Sequence, residues 1–379
     1  MNDIFCSAPW TSIFIDTNGD VKPCCSAMMK FGNIQKNPID TIINGPLHLE
    51  VKQALLDGVK HRHCSTCYEL EDKVGNSTRT WFNKYTPIVA PAVTDFSLQM
   101  IDIRWSNNCN LRCLYCNAHS SSSIAEFQGI SEKLSVRAWQ DEIIQLVKDN
   151  ILTIREVYML GGEPLLIKEN LALLDQITNQ SITLFTNLSL NNSNNKIYKK
   201  LLTKSNVDWG ISIEQTGKKF DYVRNNASWK LVQSNLVELN KQGKKCSLHL
   251  LYCLYSALDL YDTIAELQKY GKISINLLTD NECLIVSTHS AEIRNLAIIQ
   301  IDKVIADTIM FQLLDDTNQT ILHSLRQSLQ VESKFSPLVQ AVIDKNKAMD
   351  FIKFQKRNPG PHQFEELWPD VWQLLNIKL

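Results

Sequence analysis

The feature that most restricts the fold of this chain is a regular alternation of strand-like and helix-like segments between residues 98 and 290. Each strand-like segment is short, apolar and rich in β-branched residues, and an amphipathic helical stretch separates it from the next. The first such helix is predicted over about 134–149. Alternation of this kind is typical of a parallel sheet flanked by helices. Six strands are predicted, in LQMIDIRWS, REVYML, SITLFTN, VDWGISIE, KCSLHLLY and ISINLLT.

Composition changes along the chain divide it into four parts. Residues 1–85 are rich in cysteine and turns, and residues 86–97, which contain two prolines, are predicted to be a linker. Residues 98–290 are predicted to form a partial (β/α)6, TIM-like barrel. Residues 291–379 are predicted to be a helical C-terminal region. The predicted fold class is therefore α/β, with an N-terminal cysteine-rich cluster domain added to the barrel.

The chain of 379 residues carries 39 Lys and Arg against 40 Asp and Glu, which gives a net charge of −1. A near-neutral chain without a basic patch does not favour nucleic acid binding. The first residues, MNDIFCSAPW, lack a basic start followed by an apolar run, so no signal peptide is predicted. No stretch approaches about 18 uninterrupted apolar residues, so no membrane span is predicted. We expect a cytoplasmic protein, and eleven cysteines in a reducing compartment favour metal ligation over disulfides.

Three cysteines lie close together in NNCNLRCLYC, residues 107–116, with the spacing C-x3-C-x2-C. Cys109, Cys113 and Cys116 directly follow a predicted barrel strand. A closed structural zinc site takes four ligands, and this loop supplies three. Three thiolates on a four-iron cluster leave one iron open for another ligand. A zinc site and unpaired core thiols are the alternative interpretations of the loop.

Short polar or glycine-containing stretches end three later strands, GGEP at 161–164, TN at 186–187 and SIE at 212–214. Because βα barrels carry their active sites at the C-terminal ends of the strands, these stretches and the cysteine loop are expected to face one site. Gly161 and Gly162 permit a close backbone approach, although a glycine pair also suits a plain strand-to-helix turn.

The sequence CNLRCLYC after a barrel strand closely resembles the cluster loop of the radical S-adenosylmethionine (SAM) enzymes. The resemblance implies that Cys109, Cys113 and Cys116 hold a 4Fe–4S cluster and are the catalytic residues. In that family the open iron binds SAM, and the reduced cluster cleaves SAM to a 5′-deoxyadenosyl radical that abstracts a substrate hydrogen. The cofactors perform the difficult chemistry and the protein positions them. An external reductant such as flavodoxin or ferredoxin is implied as a partner.

The same resemblance implies a set of residues that contact SAM. GGE corresponds to the glycine-rich motif at the SAM amino group, and SIE to contacts with the ribose and methionine parts. TN matches a strand end that continues here with Leu188 instead of the usual glycine. Tyr115 takes the aromatic position beside adenine, and simple packing is its alternative role. Arg224 matches an arginine found in relatives, and a solvated surface arginine is the alternative. The implied SAM-binding residues are Tyr115, Gly161, Gly162, Glu163, Thr186, Asn187, Ser212, Glu214 and Arg224.

The N-terminal pattern GDVKPCC…FGNI…CSTCYELE resembles the first half of the SPASM auxiliary-cluster domain, called a twitch domain when shortened. The resemblance implies one auxiliary 4Fe–4S cluster with four cysteine ligands. Cys25 is an alternative to Cys24, and His61 and His63 flank the site as loop histidines or as an alternative ligand. A structural zinc site is the competing interpretation. The implied ligands are Cys6, Cys24, Cys64 and Cys67.

The SPASM and twitch group includes enzymes that modify peptides and dehydrogenases of small alcohols or sugars. We therefore expect a radical SAM enzyme that modifies a peptide or protein side chain. One alternative is a dehydrogenase or rearrangement enzyme acting on a sugar, nucleoside or natural-product intermediate. Another is a non-enzymatic iron–sulfur protein that carries electrons. Neither a membrane nor a nucleic acid is expected as a partner, and the sequence does not name the substrate.

Overall fold

The computed structural model describes residues 2–130, 139–278, 281–330, 337–355 and 360–377. The chain divides into two compact units, which are described separately below. Unit 1 comprises Met1–Asn110, Asn117–Thr186 and Asn192–Asp208. Unit 2 comprises Leu111–Cys116, Asn187–Asn191 and Trp209–Leu379. In the described part of the chain, none of the helices combines the length and the apolar character needed to cross a membrane.

The strands are short, and most consist of β-branched and other apolar residues. In chain order they are β1 (Ser12–Ile15), β2 (Asp20–Lys22), β3 (Gly32–Asn33), β4 (Met100–Ile103), β5 (Arg112–Cys113), β6 (Glu156–Met159), β7 (Ser181–Thr186), β8 (Val207–Ile213), β9 (Arg224–Asn225), β10 (Cys246–Tyr252) and β11 (Lys272–Leu277).

Several helices begin at a side chain that accepts hydrogen bonds from the first free backbone amides, such as Ser77, Asn195 and Asp315. The N-terminal helices are α1 (Ala8–Thr11), α2 (Ile39–Ile43), α3 (Pro46–Leu56), α4 (Ser65–Val74) and α5 (Thr78–Tyr85). Between the strands lie α6 (Ser122–Phe127), α7 (Gln140–Asp149), α8 (Glu169–Gln176), α9 (Lys196–Leu202), α10 (Gly217–Val223), α11 (Trp229–Lys241), α12 (Leu254–Ala257) and α13 (Leu260–Leu267). The C-terminal helices are α14 (Ala291–Ala306), α15 (Thr308–Leu313), α16 (Asp316–Leu329), α17 (Pro337–Gln355), α18 (Phe364–Leu367) and α19 (Pro369–Ile377).

The sheet of unit 1 has the strand order β7-β6-β4-β1-β2-β3. Strands β7, β6, β4 and β1 are parallel, and the β1–β2 hairpin and β3 continue the sheet in antiparallel pairing. Ile101 and Ile103 of β4 are fully buried, and Asp102 between them points to the opposite face because side chains alternate along a strand. Because β4, β6 and β7 are parallel, their C-terminal ends lie at the same edge of this sheet.

In unit 2, β8, β10 and β11 pair in parallel. The two-residue strands β5 and β9 form a separate antiparallel pair, with Cys113 opposite Arg224. A large apolar core around Tyr222, Tyr255 and Phe364 joins α10, α12 and α18, and Tyr115 packs against it. The segment Leu111–Cys116 is therefore held on the core of this unit.

The six predicted strands correspond to β4, β6, β7, β8, β10 and β11, and the α/β class with a mostly parallel sheet is confirmed. The C-terminal helical region is also present, as α14 to α19. The helix predicted over 134–149 is observed as α7, and its predicted first turn, residues 134–138, lies outside the described residues. The parallel pairing of β1 with β4 was not predicted, and it makes the N-terminal hairpin part of the same sheet as β4.

Candidate active site

The cysteine loop begins in unit 1, where Cys109 follows β4. The Cys109 amide donates a hydrogen bond to Ser122 Oγ at 3.1 Å, and the Ser122 amide donates to the Asn107 carbonyl at 2.7 Å. Asn107 Nδ2 in turn donates to the Ala118 carbonyl at 2.9 Å. Side chains that commonly stabilise turns therefore fix the backbone at the first cysteine.

Cys113 and Cys116 belong to unit 2. Cys113 is buried in β5 opposite Arg224 of β9, and Cys116 is half-buried. The Cys116 amide donates to the Cys113 carbonyl at 3.0 Å, and the Leu114 amide donates to the Val223 carbonyl at 3.0 Å. The short strand pair thus fixes the last two loop cysteines against the segment that carries Arg224.

Arg224 and Glu214 form a buried ion pair beside these cysteines. Two bonds of 2.6 Å join them, from Arg224 Nε to Glu214 Oε2 and from Nη2 to Oε1, and their side chains are only 3% and 2% exposed. The Tyr115 hydroxyl donates to Glu214 Oε1 at 2.9 Å, and the guanidinium lies 5.7 Å from the Tyr115 ring centroid. Two parallel bonds between a guanidinium and a carboxylate hold both groups in one geometry. Three of the residues predicted to contact SAM therefore form one rigid cluster, and Arg224 is buried rather than solvated.

The surroundings of this cluster change the acidity of its members. A hydrogen bond with Cys116 and the positive charge of Arg224 lower the pKa of the Cys113 thiol, although burial acts in the opposite direction. Burial raises the pKa of Tyr115 well above its usual value, so this phenol stays protonated and can donate to Glu214. Burial alone would lower the pKa of Arg224, but the charge of Glu214 raises it well above its ordinary value. A permanent positive charge therefore lies next to the Cys113 thiol.

The glycine pair lies at the end of β6 in unit 1, against the start of the cysteine loop. Gly161 has a φ of 120°, and a Cβ on it would lie 2.8 Å from the Ser106 carbonyl oxygen. A Cβ on Gly162 would lie 2.3 Å from the Asn108 carbonyl oxygen. The Gly162 amide donates to the Ser106 carbonyl at 3.0 Å, and the Glu163 amide donates to the Asn108 carbonyl at 2.8 Å. Glycine is required here because the two backbones touch.

Glu163 and Thr186 meet at the ends of the neighbouring strands β6 and β7. Glu163 is fully buried, and its Oε1 accepts hydrogen bonds from Thr186 Oγ1 at 2.6 Å and from the Leu165 amide at 3.1 Å. A buried carboxylate requires such donors. Thr186 therefore orients the carboxylate that the sequence assigns to a SAM ammonium.

Asn187, Leu188 and Ser212 belong to unit 2. Asn187 is buried and its Oδ1 accepts from the Ser189 amide at 2.8 Å, and Ser212 is half-buried on β8. Leu188 has a left-handed backbone with φ of 51°, a fully buried side chain, and a carbonyl that accepts from Asn235 Nδ2 at 2.9 Å. The backbone at Leu188 thus has a conformation that favours glycine.

The four N-terminal cysteines predicted as ligands line one cavity in unit 1. The remaining lining residues include Tyr68, Thr78, Arg79 and Phe82, so the thiols are surrounded by aromatic, hydroxyl and guanidinium groups. Cys67 is buried, and the other three thiols are half-buried. One cavity thus brings together residues that are far apart in sequence, namely Cys6, Cys24, Cys64 and Cys67.

The pKa values of these thiols are shifted upwards. Burial raises the pKa of Cys6 to about 12 and of Cys64 to about 11, and neighbouring thiols add to both shifts. Burial, together with Cys25 and Cys6, raises the pKa of Cys24 well above its usual value. Because iron ligation requires thiolates, the positive charge of a bound metal group is needed to deprotonate them.

Sequence reasoning did not single out Arg79, which lines the same cavity. Its guanidinium pairs with Glu71 and donates to the backbone carbonyls of Asp3 at 2.7 Å and Phe5 at 2.9 Å. Its charge also acts to lower the pKa of Cys6. The only sequence signal for this role was its position in α5, shortly after the C-x2-C pair.

The two adjacent cysteines differ in environment. Cys24 lines the four-thiol cavity and also a second, larger cavity of unit 1, whereas Cys25 is exposed and lines the larger cavity. His61 is buried and its Nε2 lies 3.4 Å from Glu50 Oε1, and the His63 amide donates to His61 Nδ1 at 3.4 Å.

Two family sequence models match separate parts of the chain. The iron–sulfur cluster-binding domain SPASM matches residues 6–68, and the radical SAM superfamily matches residues 103–267. No curated protein matches the chain.

Several solved structures are similar to the chain. One is native anSMEcpe with bound AdoMet, at 16% identity and a TM-score of 0.40, with 56% of this chain and 62% of that chain covered. Another is SuiB of Streptococcus suis bound to S-adenosylmethionine, at 18% identity and a TM-score of 0.41, with 70% and 60% covered. A third is SuiB bound to the precursor peptide SuiA, at 17% identity and a TM-score of 0.38, with 68% and 63% covered. The chain thus spans less than two thirds of the length of each.

The two matched domains imply two 4Fe–4S clusters and SAM as cofactors. The donors present fit these groups, because thiolates are the usual cluster ligands and the chain offers three in the loop and four around the cavity. Among the described residues, no three or more Cys, His, Asp or Glu side chains are arranged as a metal-ion site. The four N-terminal thiols instead share a cavity.

Proposed function

From the premise that this chain belongs to the radical SAM superfamily and carries an N-terminal SPASM domain, we propose that it is an enzyme that modifies a peptide or protein side chain. When bound, the loop cluster and SAM supply a 5′-deoxyadenosyl radical that abstracts a hydrogen from the substrate. In this proposal the enzyme is of the oxidoreductase or maturase type. The auxiliary cluster belongs to the four N-terminal thiols in this proposal.

One observation carries the proposal. The C-x3-C-x2-C loop lies inside the matched range 103–267 and directly follows the end of β4. In parallel α/β proteins the active site lies at this end of the strands. The GGE motif, at the end of β6, hydrogen-bonds to the segment just before Cys109 within unit 1. The loop therefore starts at a backbone contact that only glycine permits.

Most of the predicted SAM residues have surroundings that support a task in this proposal. Gly161 and Gly162 allow the backbone approach, and Glu163, oriented by Thr186, offers a carboxylate to an ammonium group. In unit 2, Glu214 keeps its carboxylate fixed between Arg224 and Tyr115, which positions the aromatic ring of Tyr115. Preorganised groups of this kind bind and orient a reactant without rearrangement. Asn187 and Ser212 complete the proposed set on the next strands.

We also propose an electron-donating partner protein and a cytoplasmic location. Reduction of the loop cluster requires an external electron donor such as flavodoxin or ferredoxin. The eleven cysteines, of which none is paired in a disulfide in the described residues, suit a reducing cytoplasm. A peptide or protein side chain is proposed as the substrate, and a small molecule is the alternative.

The test is reductive SAM cleavage by the protein purified and reconstituted without oxygen. With dithionite and SAM, we expect 5′-deoxyadenosine from the unmodified chain and none from the Cys109→Ala/Cys113→Ala/Cys116→Ala variant. Cys283→Ala, at a half-buried cysteine outside both sets, is the matched control and is expected to produce it at the unmodified rate. Equal cleavage by the triple variant, or no cleavage by the iron-loaded unmodified chain, overturns the proposal.

A further inference from the structure

The larger cavity of unit 1 has a volume of about 400 Å³, within the range of ligand pockets. It is lined by Cys24, which also lines the four-thiol cavity. It is also lined by Leu160 and Phe185, which directly precede Gly161 and Thr186 at the strand ends. The cavity therefore adjoins both one of the four thiols and the strand ends that carry the proposed SAM residues of unit 1.

Strand register explains which side chains face this cavity. Phe14 of β1 pairs with Asp102 of β4, and Asp102 pairs with Tyr158 of β6, so these three form one row across the sheet. Because side chains alternate in direction, Ser12 and Arg104 share their face. All five line the cavity. The strand sequence MIDIR thus places an acidic and a basic residue on the face of the sheet that lines the cavity.

Asp102 is a buried carboxylate with weak partners. The residue is 5% exposed, and within the described part of the chain its only hydrogen bonds come from Arg104 Nε and Nη2, both at 3.4 Å. Hydrogen bonds to carboxylates are normally near 2.8 Å, and a buried carboxylate normally has two or three strong ones. Asp102 therefore has capacity for a further, closer donor.

Ser12 provides an independent indication of a ligand. It is 2% exposed and lines the cavity, and its Oγ has no hydrogen-bond partner among the residues that the structure describes. Buried hydroxyl groups are nearly always hydrogen-bonded. Two polar groups on neighbouring strands, one carboxylate and one hydroxyl, thus both have unused acceptor capacity toward the same space.

Five aromatic side chains form part of the cavity wall, namely Phe14, Trp81, Phe82, Tyr158 and Phe185. Trp81 and Tyr158 lie edge to face at 6.3 Å, and Phe14 and Phe185 line the same cavity. The Arg104 guanidinium already stacks on the Phe14 ring at 4.6 Å, which shows that a cation is accommodated here. Aromatic faces and a carboxylate together favour a positively charged group.

We propose, on the basis of the proposed function, that this cavity binds the substrate through a positively charged, hydrogen-bond-donating side chain of the lysine class. Asp102 and Ser12 accept hydrogen bonds from the ammonium group, and the aromatic walls contact its aliphatic stem. Arg104 is a competitor for Asp102, and it remains 31% exposed and can return to water when the ammonium binds. A carboxylate ligand would instead face the buried charge of Asp102.

The test uses three matched probes, the N-acetyl, N-methylamide derivatives of lysine, norleucine and glutamate. Their binding to the anaerobic, cluster-loaded protein is measured by ligand-observed NMR titration, without SAM or reductant. We expect the lysine probe to bind at least about tenfold more tightly than the norleucine probe, since hydrogen bonds to charged groups have this magnitude. The glutamate probe is expected to bind more weakly than both.

Three variants assign this preference to the cavity. Asp102→Asn is expected to abolish the lysine preference, and Ser12→Ala to reduce it by about threefold. Arg104→Gln is expected to strengthen lysine binding because the competing donor is removed. Asp141→Asn, at an exposed helical aspartate, is the matched control and is expected to keep the full preference. Thermal unfolding of each variant checks that it is folded.

Equal binding of lysine and norleucine probes, tighter binding of glutamate, or a lysine preference that survives Asp102→Asn each overturn the inference. SAM cleavage by the unmodified chain is measured on the same preparation, which separates the two proposals. If the chain cleaves SAM but does not bind the lysine probe preferentially, only the cavity assignment is overturned. A lysine preference without cleavage supports the cavity and overturns the proposed function.

Discussion

The two sets of cysteines differ in their surroundings. In unit 1 the four N-terminal thiols line one cavity, and burial raises the pKa of three of them, although the Arg79 charge acts to lower the pKa of Cys6. In unit 2, Cys113 lies opposite Arg224 in the β5–β9 pair, and its pKa is lowered. Burial therefore outweighs the nearby guanidinium at Cys6, whereas the hydrogen bond with Cys116 and the Arg224 charge outweigh burial at Cys113.

We propose two kinds of cluster environment from this difference. Hydrogen bonds and exposure would set the potential of a cluster held by the four N-terminal thiols. The part of the loop that carries Cys113 and Cys116 instead adjoins an ion pair and a tyrosine that restrict the groups around it. In this proposal the loop site carries the chemistry and the N-terminal site supports it.

The largest expected effect separates the two sets directly. Cys113→Ala is expected to abolish SAM cleavage, because the loop has only three ligands. Cys64→Ala is expected to lose the auxiliary cluster but to retain measurable cleavage, together with a lower melting temperature because bound metal contributes to folding. The measurements are 5′-deoxyadenosine yield and thermal unfolding. Complete loss of cleavage in both variants would remove the proposed distinction.

Glu214→Gln tests the ion pair beside the loop. It leaves the Arg224 charge buried without a counter-charge, which is expected to cost about 3–5 kcal/mol of unfolding free energy. Denaturant unfolding of the cluster-loaded protein measures this loss. Glu266→Gln, which removes the exposed partner of Lys269, is the matched control and is expected to cause little change. Similar small effects in both variants would show that the pair at Glu214 does not organise unit 2.

Thr186→Val tests the other buried glutamate. Glu163 is held by the Thr186 hydroxyl, whereas Glu214 is held by the Arg224 guanidinium. Removal of this hydrogen bond is expected to cost about 1.5–3 kcal/mol, and Thr186→Ser is expected to restore most of it. Unfolding free energies of the two variants provide the check. A valine variant as stable as the serine variant would contradict this role of the hydroxyl.

The smallest effect concerns Leu188. Leu188→Gly relieves a left-handed backbone by about 1–2 kcal/mol but deletes a buried side chain that contributes about 2–5 kcal/mol. We therefore expect a net loss of about 1–3 kcal/mol. Ala90→Gly is the control, because Ala90 also has a positive φ, of 44°, but is exposed. A gain in stability at position 188 would show that burial there is the weaker effect.

Sequence reasoning identified the local elements because strand and helix periodicity are local signals. The pairing of β1 with β4 was missed because it joins segments about 85 residues apart, which no local pattern reports. The burial of Arg224 was left open, since only the approach of Glu214 and Tyr115 in three dimensions decides it. Asp102 was overlooked although its place between Ile101 and Ile103 marks the opposite face of a strand.

The most direct test of the account is the amount of iron and acid-labile sulfide per chain after anaerobic reconstitution. Two separate four-iron clusters predict about eight irons in the unmodified chain and about four in each of two variants. One variant replaces the three loop cysteines by alanine, and the other replaces Cys6, Cys24, Cys64 and Cys67. Four irons in the unmodified chain, unchanged when the N-terminal cysteines are replaced, would contradict the claim of two clusters held by two separate sets of thiols.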